Sequence, residues 1–349
     1  MSGGIDSSVA AIELRRKGYE LKGVTFTQLT LDSPAVAEAR QMASDMGFEH
    51  HTLDMRREFH DSVICNFIDE YLHGRTPNPC VQCNSNIKWG MLQKFADEMG
   101  CFYIATGHYA QIECTPEGRY FIRKGADEHK DQSYFLWRLT QENLSRTLFP
   151  LGGYTKAEVR QIALDNGYEQ LSKKGESQEI CFIPDNDYRN FLRDNVPDYD
   201  KKYKKGDFID INGKVLGKHQ GFPNYTIGQR KGLGIGGRKE SLFIIGTDVE
   251  SNTIYVGEGD SHPGLYRKAL RIDNSEVHWV EPCEALKVGE ERRLKVRIRY
   301  RQPLENATLI QHEDALYILF DQPQRGIAGG QFAAWYEGDR LIGSGVIKY

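Results

Sequence analysis

Three short stretches hold residues whose types and spacing could do chemistry. Ser2-Gly3-Gly4-Ile5-Asp6-Ser7-Ser8 runs straight into a helical pattern. Its glycines let backbone N–H groups approach an anion, the helix start adds donors and a favourable dipole, and the serines add hydroxyls. The stretch reads as a phosphate cradle, against the plainer reading of a Gly-rich turn that caps a helix. It is not a Walker A loop, because no G-x-x-x-x-G-K-[ST] occurs in the chain. The second stretch, Thr76-Pro77-Asn78-Pro79-Cys80-Val81-Gln82-Cys83-Asn84, places two thiols on a Pro-constrained loop expected just before a helix. A thiol near a helix N-terminus has its thiolate favoured. The third is Cys181, within Gly175-Glu176-Ser177-Gln178-Glu179-Ile180-Cys181-Phe182-Ile183, between two helical patterns.

The plainer readings of these thiols differ. A zinc site would want a second close pair, and Cys101 and Cys114 are widely spaced in an apparent strand and hairpin. A thioredoxin-like dithiol would lack its matching fold. Cys65, Cys101 and Cys283, in apolar contexts, read as small core hydrophobes. Gly232-x-Gly234-x-x-Gly237 matches a dinucleotide fingerprint, but it precedes a strand pattern at Ser241–Ile245 and reads as a flexible loop.

The elements that must position these residues follow from periodicity. Helical spacing covers Ile5 to Lys17, Ala35 to Met46, Arg57 to Leu72 and Asn86 to Met99. Strand patterns cover Leu21 to Phe26, His51 to Leu53 and Phe102 to Ala105, the last expected to be buried. Repeated units of this length argue for a parallel sheet covered on both faces. Ala110 to Cys114 and Arg119 to Arg123 look like a hairpin appended to that sheet, and Thr155 with Glu158 forms a capping box. Beyond about Asp187 the texture becomes Gly-rich with short strands. Leu294–Tyr300, Ala307–Gln311, Ala315–Phe320, Gln331–Tyr336 and Leu341–Ile347 alternate, which predicts a small antiparallel barrel. The expected domains are 1–187, 188–258 and 259–349.

Composition narrows the classes. The chain has 349 residues, a formal net charge of −4 and 7 cysteines. No stretch approaches the ~18 apolar residues of a membrane helix, and no secretory pattern opens the chain. An odd cysteine count without a leader suggests reduced thiols in a cytoplasm. The net charge hides an asymmetry: residues 1–200 sum to −8 and residues 201–250 to +5. Lys295, Arg297, Arg299 and Arg301 alternate with apolar neighbours, which predicts four cations on one strand face. Two basic clusters on an acidic protein point to a polyanionic partner such as RNA, against the plain reading of solvated surface.

Ser2 to Ser8 resembles the PP-loop of ATP pyrophosphatases. Together with the Cys80/Cys83 stretch and the Cys181 segment it closely resembles the bacterial tRNA-specific 2-thiouridylase family. Ala105-Thr106-Gly107-His108-Tyr109, Lys130 to Leu136, Thr226 to Gly234 and Arg299-Tyr300-Arg301-Gln302 agree, so the resemblance spans essentially the whole chain. It implies an α/β fold: a parallel-sheet PP-loop N-terminal domain (adenine nucleotide alpha hydrolase-like), a small central α+β domain and a C-terminal antiparallel β-barrel.

The resemblance also implies a reaction. ATP with Mg2+ adenylates the C2 oxygen of wobble uridine 34 in the tRNAs for Lys, Glu and Gln, and sulfur then replaces it. Ser2, Gly3, Gly4, Ile5, Asp6, Ser7 and Ser8 would hold the phosphates, Phe26 would wall the adenosine, and Gly107 would be a second nucleotide contact. Cys181 would carry a persulfide from a cysteine desulfurase or a sulfur-relay protein, and Cys83 would be the nucleophile: either the terminal persulfide sulfur attacks C2, or Cys83 first reduces the persulfide and hydrosulfide attacks, and both routes leave a Cys83–Cys181 disulfide. Asn78, Pro79 and Cys80 would line the target-base pocket. His108, Lys130, Asp131, Gln132, Arg299, Tyr300 and Gln331 would touch tRNA. Cys80 stands where many members have Asp, thought to act as a general base on uridine N3. Either an ionised thiol, helped by the helix and Lys88 to titrate below the usual ~8.5, takes that part, or Cys80 is a neutral filler. A PP-loop normally follows an apolar first strand, and here Met1 directly precedes Ser2, so the natural protein is expected to begin about six residues upstream. The rival readings are a PP-loop ligase acting on another substrate, an Fe–S protein using Cys80, Cys83 and Cys181, and a non-catalytic RNA-binding module.

Overall fold

Gly4, in extended backbone, releases the chain into its first helix, Ile5–Arg16, which buries Ile5, Val9, Ala10, Ile12 and Leu14. The computed structural model describes residues 1–30, 33–173, 175 and 180–348. Strand Lys22–Thr27 runs parallel to Glu49–Asp54, from Lys22↔Glu49 to Thr27↔Asp54. Helix Pro34–Asp45 joins them; the Ser33 side chain caps it and Pro34 sits where a missing N–H costs nothing. A second parallel pair, Ile104–Ala105 with Thr147–Leu148, is two residues long.

The strands are parallel as expected, but among the described residues they form two separate pairs instead of one sheet. Met1 lies along the first strand. Its amino group bonds the Val24 carbonyl, and its carbonyl accepts from Thr25 Oγ1 at 2.7 Å. Phe102 and Tyr103 are exposed rather than buried in a strand. Cys65 and Cys283 are exposed too, and Cys101 is half-buried, so none of the three is the core filler expected.

The central region has a four-stranded sheet in the order Val215–His219, Gly206–Ile209, Thr253–Glu258, Leu242–Asp248, with a parallel middle pair. Phe208, Phe222, Ile244 and Ile254 fill it. The C-terminal strands Tyr266–Asp273, Ala315–Arg325, Glu305–Gln311, Glu291–Arg297, Phe332–Glu337 and Arg340–Val346 pair antiparallel in that order. The Lys348 N–H donates to the Arg271 carbonyl at 3.0 Å and closes the sheet into a barrel. Its core holds Ile272, Val296, Leu309, Ile318 and Trp335.

Two expectations about this barrel need correction. The hairpin Ala110–Cys114 and Tyr120–Lys124 is not appended to the parallel strands; it extends the barrel sheet through Leu341↔Ile122. Shared burial of Phe121, Ile122, Tyr336 and Leu341 in one core is what draws it there. The row of four cations also fails. The strand ends at Arg297, which is buried and ion-paired to Asp131. Arg297 Nη2 further donates to Ser133 Oγ at 3.0 Å and to the Tyr336 hydroxyl at 2.7 Å. Its guanidinium lies 4.8 Å from the Tyr336 ring centre. That satisfied network is what makes a buried charge tolerable.

Candidate active site

The cradle is built locally. Ser7 and Ser8 hydroxyls each donate to the Gly4 carbonyl at 3.0 Å, and the Ser2 N–H donates to Ser7 Oγ at 3.1 Å. The first N–H groups of the helix have no intrahelical partner, the arrangement that suits an anion. Gly3 has φ of +66°, and a Cβ there would stand 2.7 Å from the Ala35 carbonyl oxygen, so only glycine fits. Gly107 is brought to the same place: a Cβ on it would lie 2.8 Å from the Asp6 backbone carbon. Asp6 Oδ1 accepts from the Tyr109 hydroxyl and from Lys156 Nζ, each at 2.7 Å. Sequence reasoning missed Lys156; it opens a helix 150 residues away and carries no local signal. Phe26 sits half-buried at the end of its strand, packed against the apolar cluster that also contains Cys83.

The thiols are assembled from two distant segments. Cys80 and Cys83 are not on a loop, as expected, but inside the first turns of a helix. Asn78 precedes it, Pro79 takes its first position, and the chain winds as a π-helix from Cys83 to Met91. Proline there is pre-set for helix entry, and π turns are rare and cluster at functional sites. Asn84 Nδ2 anchors this helix to the Phe135 carbonyl at 3.0 Å, and Arg138 Nη1 donates to Gln82 Oε1 at 2.9 Å. Cys83 is buried among Phe59, Phe67, Ile87, Phe182 and Ile183. Phe182 and Ile183 carry Cys181 to the same place. Glu176–Glu179, the part of that segment ahead of it, lie outside the described residues.

Cys80 and Cys181 meet solvent, yet protein surrounds them on most sides, as in the wall of a cleft. All three cysteines are free thiols. Burial pushes the Cys80 thiol up, with Lys88 pulling the other way. Burial also raises Cys83, opposed by Lys88 and reinforced by a charge on Cys80. Cys181 is pushed up to about 12, first by burial and then by charge on Cys83 and Cys80, again against Lys88. The helix and Lys88 therefore do not bring Cys80 below the ordinary thiol range; desolvation outweighs them. Burial thus favours the neutral thiol at Cys80, the direction that suits the filler alternative over the ionised base. Lys88 has no carboxylate partner among the described residues, and its charge also reaches the Met1 amine and His108. It links the thiol cleft to the cradle.

The expected RNA contacts divide. Lys130, Arg299 and Tyr300 meet where the barrel touches the 127–135 loop. The Tyr300 ring packs 4.5 Å from Phe135, its hydroxyl donates to the Lys130 carbonyl at 3.4 Å, and exposed Arg299 donates to the Arg325 carbonyl at 2.8 Å. Gln132 is half-buried, with Oε1 accepting the Tyr109 N–H at 3.0 Å. Asp131 and His108 are buried and offer RNA no surface here. Asp131 accepts from the Gly125 and Ser133 N–H groups at 3.1 and 3.0 Å as well as from Arg297. His108 sits 2.7 Å from Thr106 Oγ1, against the Trp89 and Phe149 rings, and burial pushes its pKa far below the ordinary histidine range. Gln331 is half-buried, and its amide nitrogen donates to the Thr76 and Pro77 carbonyls at 2.9 and 3.0 Å.

Comparison with known proteins bears on the whole chain. Family models match in sequence: the tRNA methyl transferase HUP domain over residues 1–185, the tRNA methyl transferase PRC-barrel domain over 189–258 and the Aminomethyltransferase beta-barrel domain over 268–347. A protein of Cytophaga hutchinsonii named tRNA-specific 2-thiouridylase MnmA is 44% identical over 363 residues, covering 100% of this chain and 96% of its own. Proteins of the same name from Christiangramia forsetii and Amoebophilus asiaticus are 42% and 44% identical, each covering 100% of this chain and 98% and 94% of their own. A solved chain from Methanocaldococcus jannaschii, described as a predicted subunit of tRNA methyltransferase, covers 51% of this chain and 91% of its own at 18% identity. Its TM-score of 0.29 carries no argument.

Proposed function

The chain belongs to the tRNA-specific 2-thiouridylase family, and we propose that it converts wobble uridine 34 of the tRNAs for Lys, Glu and Gln to 2-thiouridine. The observation that carries this reading is the gathering of Cys80, Cys83 and Cys181 around Lys88, whose charge also reaches the cradle end of the chain.

Oxygen at C2 is a poor leaving group. Its attack on the α-phosphorus of ATP releases pyrophosphate and leaves C2 bonded to AMP through oxygen. The cradle donors of Ser2 to Ser8 hold the phosphates, and Phe26 and Gly107 line the nucleotide side. The outer sulfur of a persulfide on Cys181 then attacks C2, and AMP departs with the oxygen. Cys83 attacks the inner sulfur of Cys181, so the S–S bond of the persulfide breaks and a Cys83–Cys181 disulfide forms. A cellular thiol must supply two electrons to reopen it. The sulfur enters Cys181 from a cysteine desulfurase or a relay protein. Asp6, whose carboxylate is held in the cradle by Tyr109 and Lys156, would help hold Mg2+, which would neutralise phosphate charge.

The uridine must leave the anticodon stack to reach Asn78, Pro79 and Cys80. Arg299 and Lys130 suit phosphates, and Tyr300 suits a base or sugar. Exposed Lys202, Lys204, Lys205, Arg230, Lys231 and Arg238 extend the basic surface. We place catalysis in residues 1–187, RNA grip in 188–258 and 259–349, and the protein in the cytoplasm, where thiols stay reduced. Methyl transfer, the wording of two family models, needs neither a triphosphate cradle nor a pair of thiols. The same three thiols carry a second reading, ligation of an Fe–S cluster with an open iron. An anaerobically purified protein without visible absorption would retire it.

Nucleoside mass spectrometry on tRNA from cells lacking this gene tests the function. The expected result is loss of 2-thiouridine; unchanged 2-thiouridine overturns the reading.

A further inference from the structure

One cluster of metal-ligating side chains has no part in the cradle or among the three cleft thiols. Among the described residues, His60, Asp61 and Cys65 form the one group of three whose ligand atoms all fall within 4.8 Å of one another. The winding of the backbone brings them together. His60–Ile64 is π-helical, and the Cys65 N–H closes that turn on the His60 carbonyl. In α winding, positions five apart point about 140° away from each other; a π turn puts them nearly one above the other. His60 Nδ1 thus stands 3.7 Å from Cys65 Sγ and 3.1 Å from Asp61 Oδ1. Arg57 Nε approaches the other carboxylate oxygen, Oδ2, at 3.8 Å and leaves Oδ1 to the cluster.

We propose that His60 Nδ1, Asp61 Oδ1 and Cys65 Sγ bind one Zn2+ ion, with water in the fourth position. Zinc is four-coordinate with arms of ~2.0–2.3 Å to nitrogen, oxygen and sulfur, which sets neighbouring ligand atoms of its tetrahedron roughly 3.3–3.6 Å apart. The distances of 3.1 and 3.7 Å already lie close to those edges. An imidazole nitrogen, a thiol sulfur and one carboxylate oxygen suit a borderline-soft ion rather than Mg2+ or Ca2+, which take oxygen. Binding turns the thiol into a zinc thiolate and releases its proton to water. All three side chains are exposed, so the ion enters from solvent and the fourth position stays wet. Phe59, Val63, Ile64 and Phe67 of the same helical stretch are buried in the core that holds Cys83. Zinc would therefore staple, from outside, the stretch whose inner face walls that thiol. The site does not depend on the thiolation reading.

The test uses the full chain, freed of metal, and reads each cysteine separately by alkylation and peptide mass spectrometry. Zn2+ titrated into the parent should slow alkylation of Cys65 about tenfold or more at saturation, because a metal-bound thiolate is shielded, whereas Mg2+ should leave it unchanged. His60→Ala should raise the zinc concentration at half-protection of Cys65 by about 100-fold, the upper end of what loss of even an outer partner costs. Asp61→Ala should raise it about tenfold, and it decides if His60→Ala does not fold. Cys65 alkylated at the same rate with and without saturating Zn2+ would overturn the proposal and leave the cluster as a hydrogen-bonded surface group. So would protection confined to Cys80, Cys83 and Cys181, or protection of Cys65 with an unchanged midpoint in His60→Ala. None of these readings uses 2-thiouridine, so failure of the thiolation reading leaves the zinc result standing.

Discussion

Ser2 to Ser8 hold one another; Cys80, Cys83 and Cys181 do not. In the cradle every hydroxyl and the Asp6 carboxylate has a partner within 3.2 Å, and the first N–H groups of the helix have no intrahelical partner. In the cleft Cys83 lies among apolar side chains, the charge of Lys88 acts on all three thiols, and each is pushed toward its neutral form. The difference teaches how the two half-reactions are prepared. Phosphate binding needs donors fixed in advance, so the cradle is rigid and contiguous. Sulfur transfer needs thiols that stay quiet until sulfur and substrate arrive, so the thiols are held toward their neutral form by surroundings that tertiary packing brings together.

The largest effect that would sharpen this contrast comes from the cleft. Cys83→Ser or Cys181→Ser should lower single-turnover thiolation by roughly 10³-fold or more, with melting temperature and tRNA affinity unchanged. A Cys181→Ser protein that still thiolates from a persulfide donor breaks the assignment.

Next comes the cradle, where the damage should be to backbone fit. Gly107→Ala drives a methyl into the Asp6 main chain, an overpacking cost of about 1–3 kcal/mol. ATP affinity should fall roughly tenfold or more at unchanged tRNA affinity, read by equilibrium nucleotide binding. Normal ATP binding by that variant would mean the cradle is not rigid.

A smaller effect separates the electrostatics. Because Cys181 titrates near 12, its thiolate fraction should climb tenfold per pH unit across roughly pH 7–9 without a plateau. Alkylation followed by peptide mass spectrometry measures this. Lys88→Met removes the cation that opposes burial, so alkylation of Cys83 and Cys181 should slow about three- to tenfold at constant pH. A plateau below pH 9, or no change in Lys88→Met, would show that the thiols are activated after all.

The smallest effect concerns Cys80. Burial pushes the Cys80 thiol toward its neutral form, a poor base, so Cys80→Ala should keep its rate within about threefold of the parent between roughly pH 6 and 9. A loss near 100-fold would restore the base role.

What could be read in the sequence follows the same contrast. The Gly-Ser turn that opens the first helix, the Thr155–Glu158 capping box and the antiparallel C-terminal strands are local patterns, and each is present. Residues whose surroundings come from afar were misread. Arg297 alternates like a surface cation, but Asp131 and Tyr336 enclose it from 166 and 39 residues away. The 110–124 hairpin looks the same whichever sheet receives it. Asn78-Pro79 reads as a loop, since proline is also a turn residue, and π winding leaves no mark on periodicity. The raised thiols were invisible because desolvation belongs to Phe59, Phe67 and Phe182 around them, not to the C-x-x-C spacing.

One measurement reaches the central claim, that Cys83 and Cys181 face each other for sulfur transfer. Protein carrying a persulfide on Cys181 is mixed with ATP and unmodified substrate tRNA for a single turnover, quenched in acid and digested. The expected result is one Cys83–Cys181 disulfide for each 2-thiouridine formed, and neither product without ATP. Formation of 2-thiouridine with both cysteines recovered as free thiols, or with the disulfide on Cys80 instead, would contradict it.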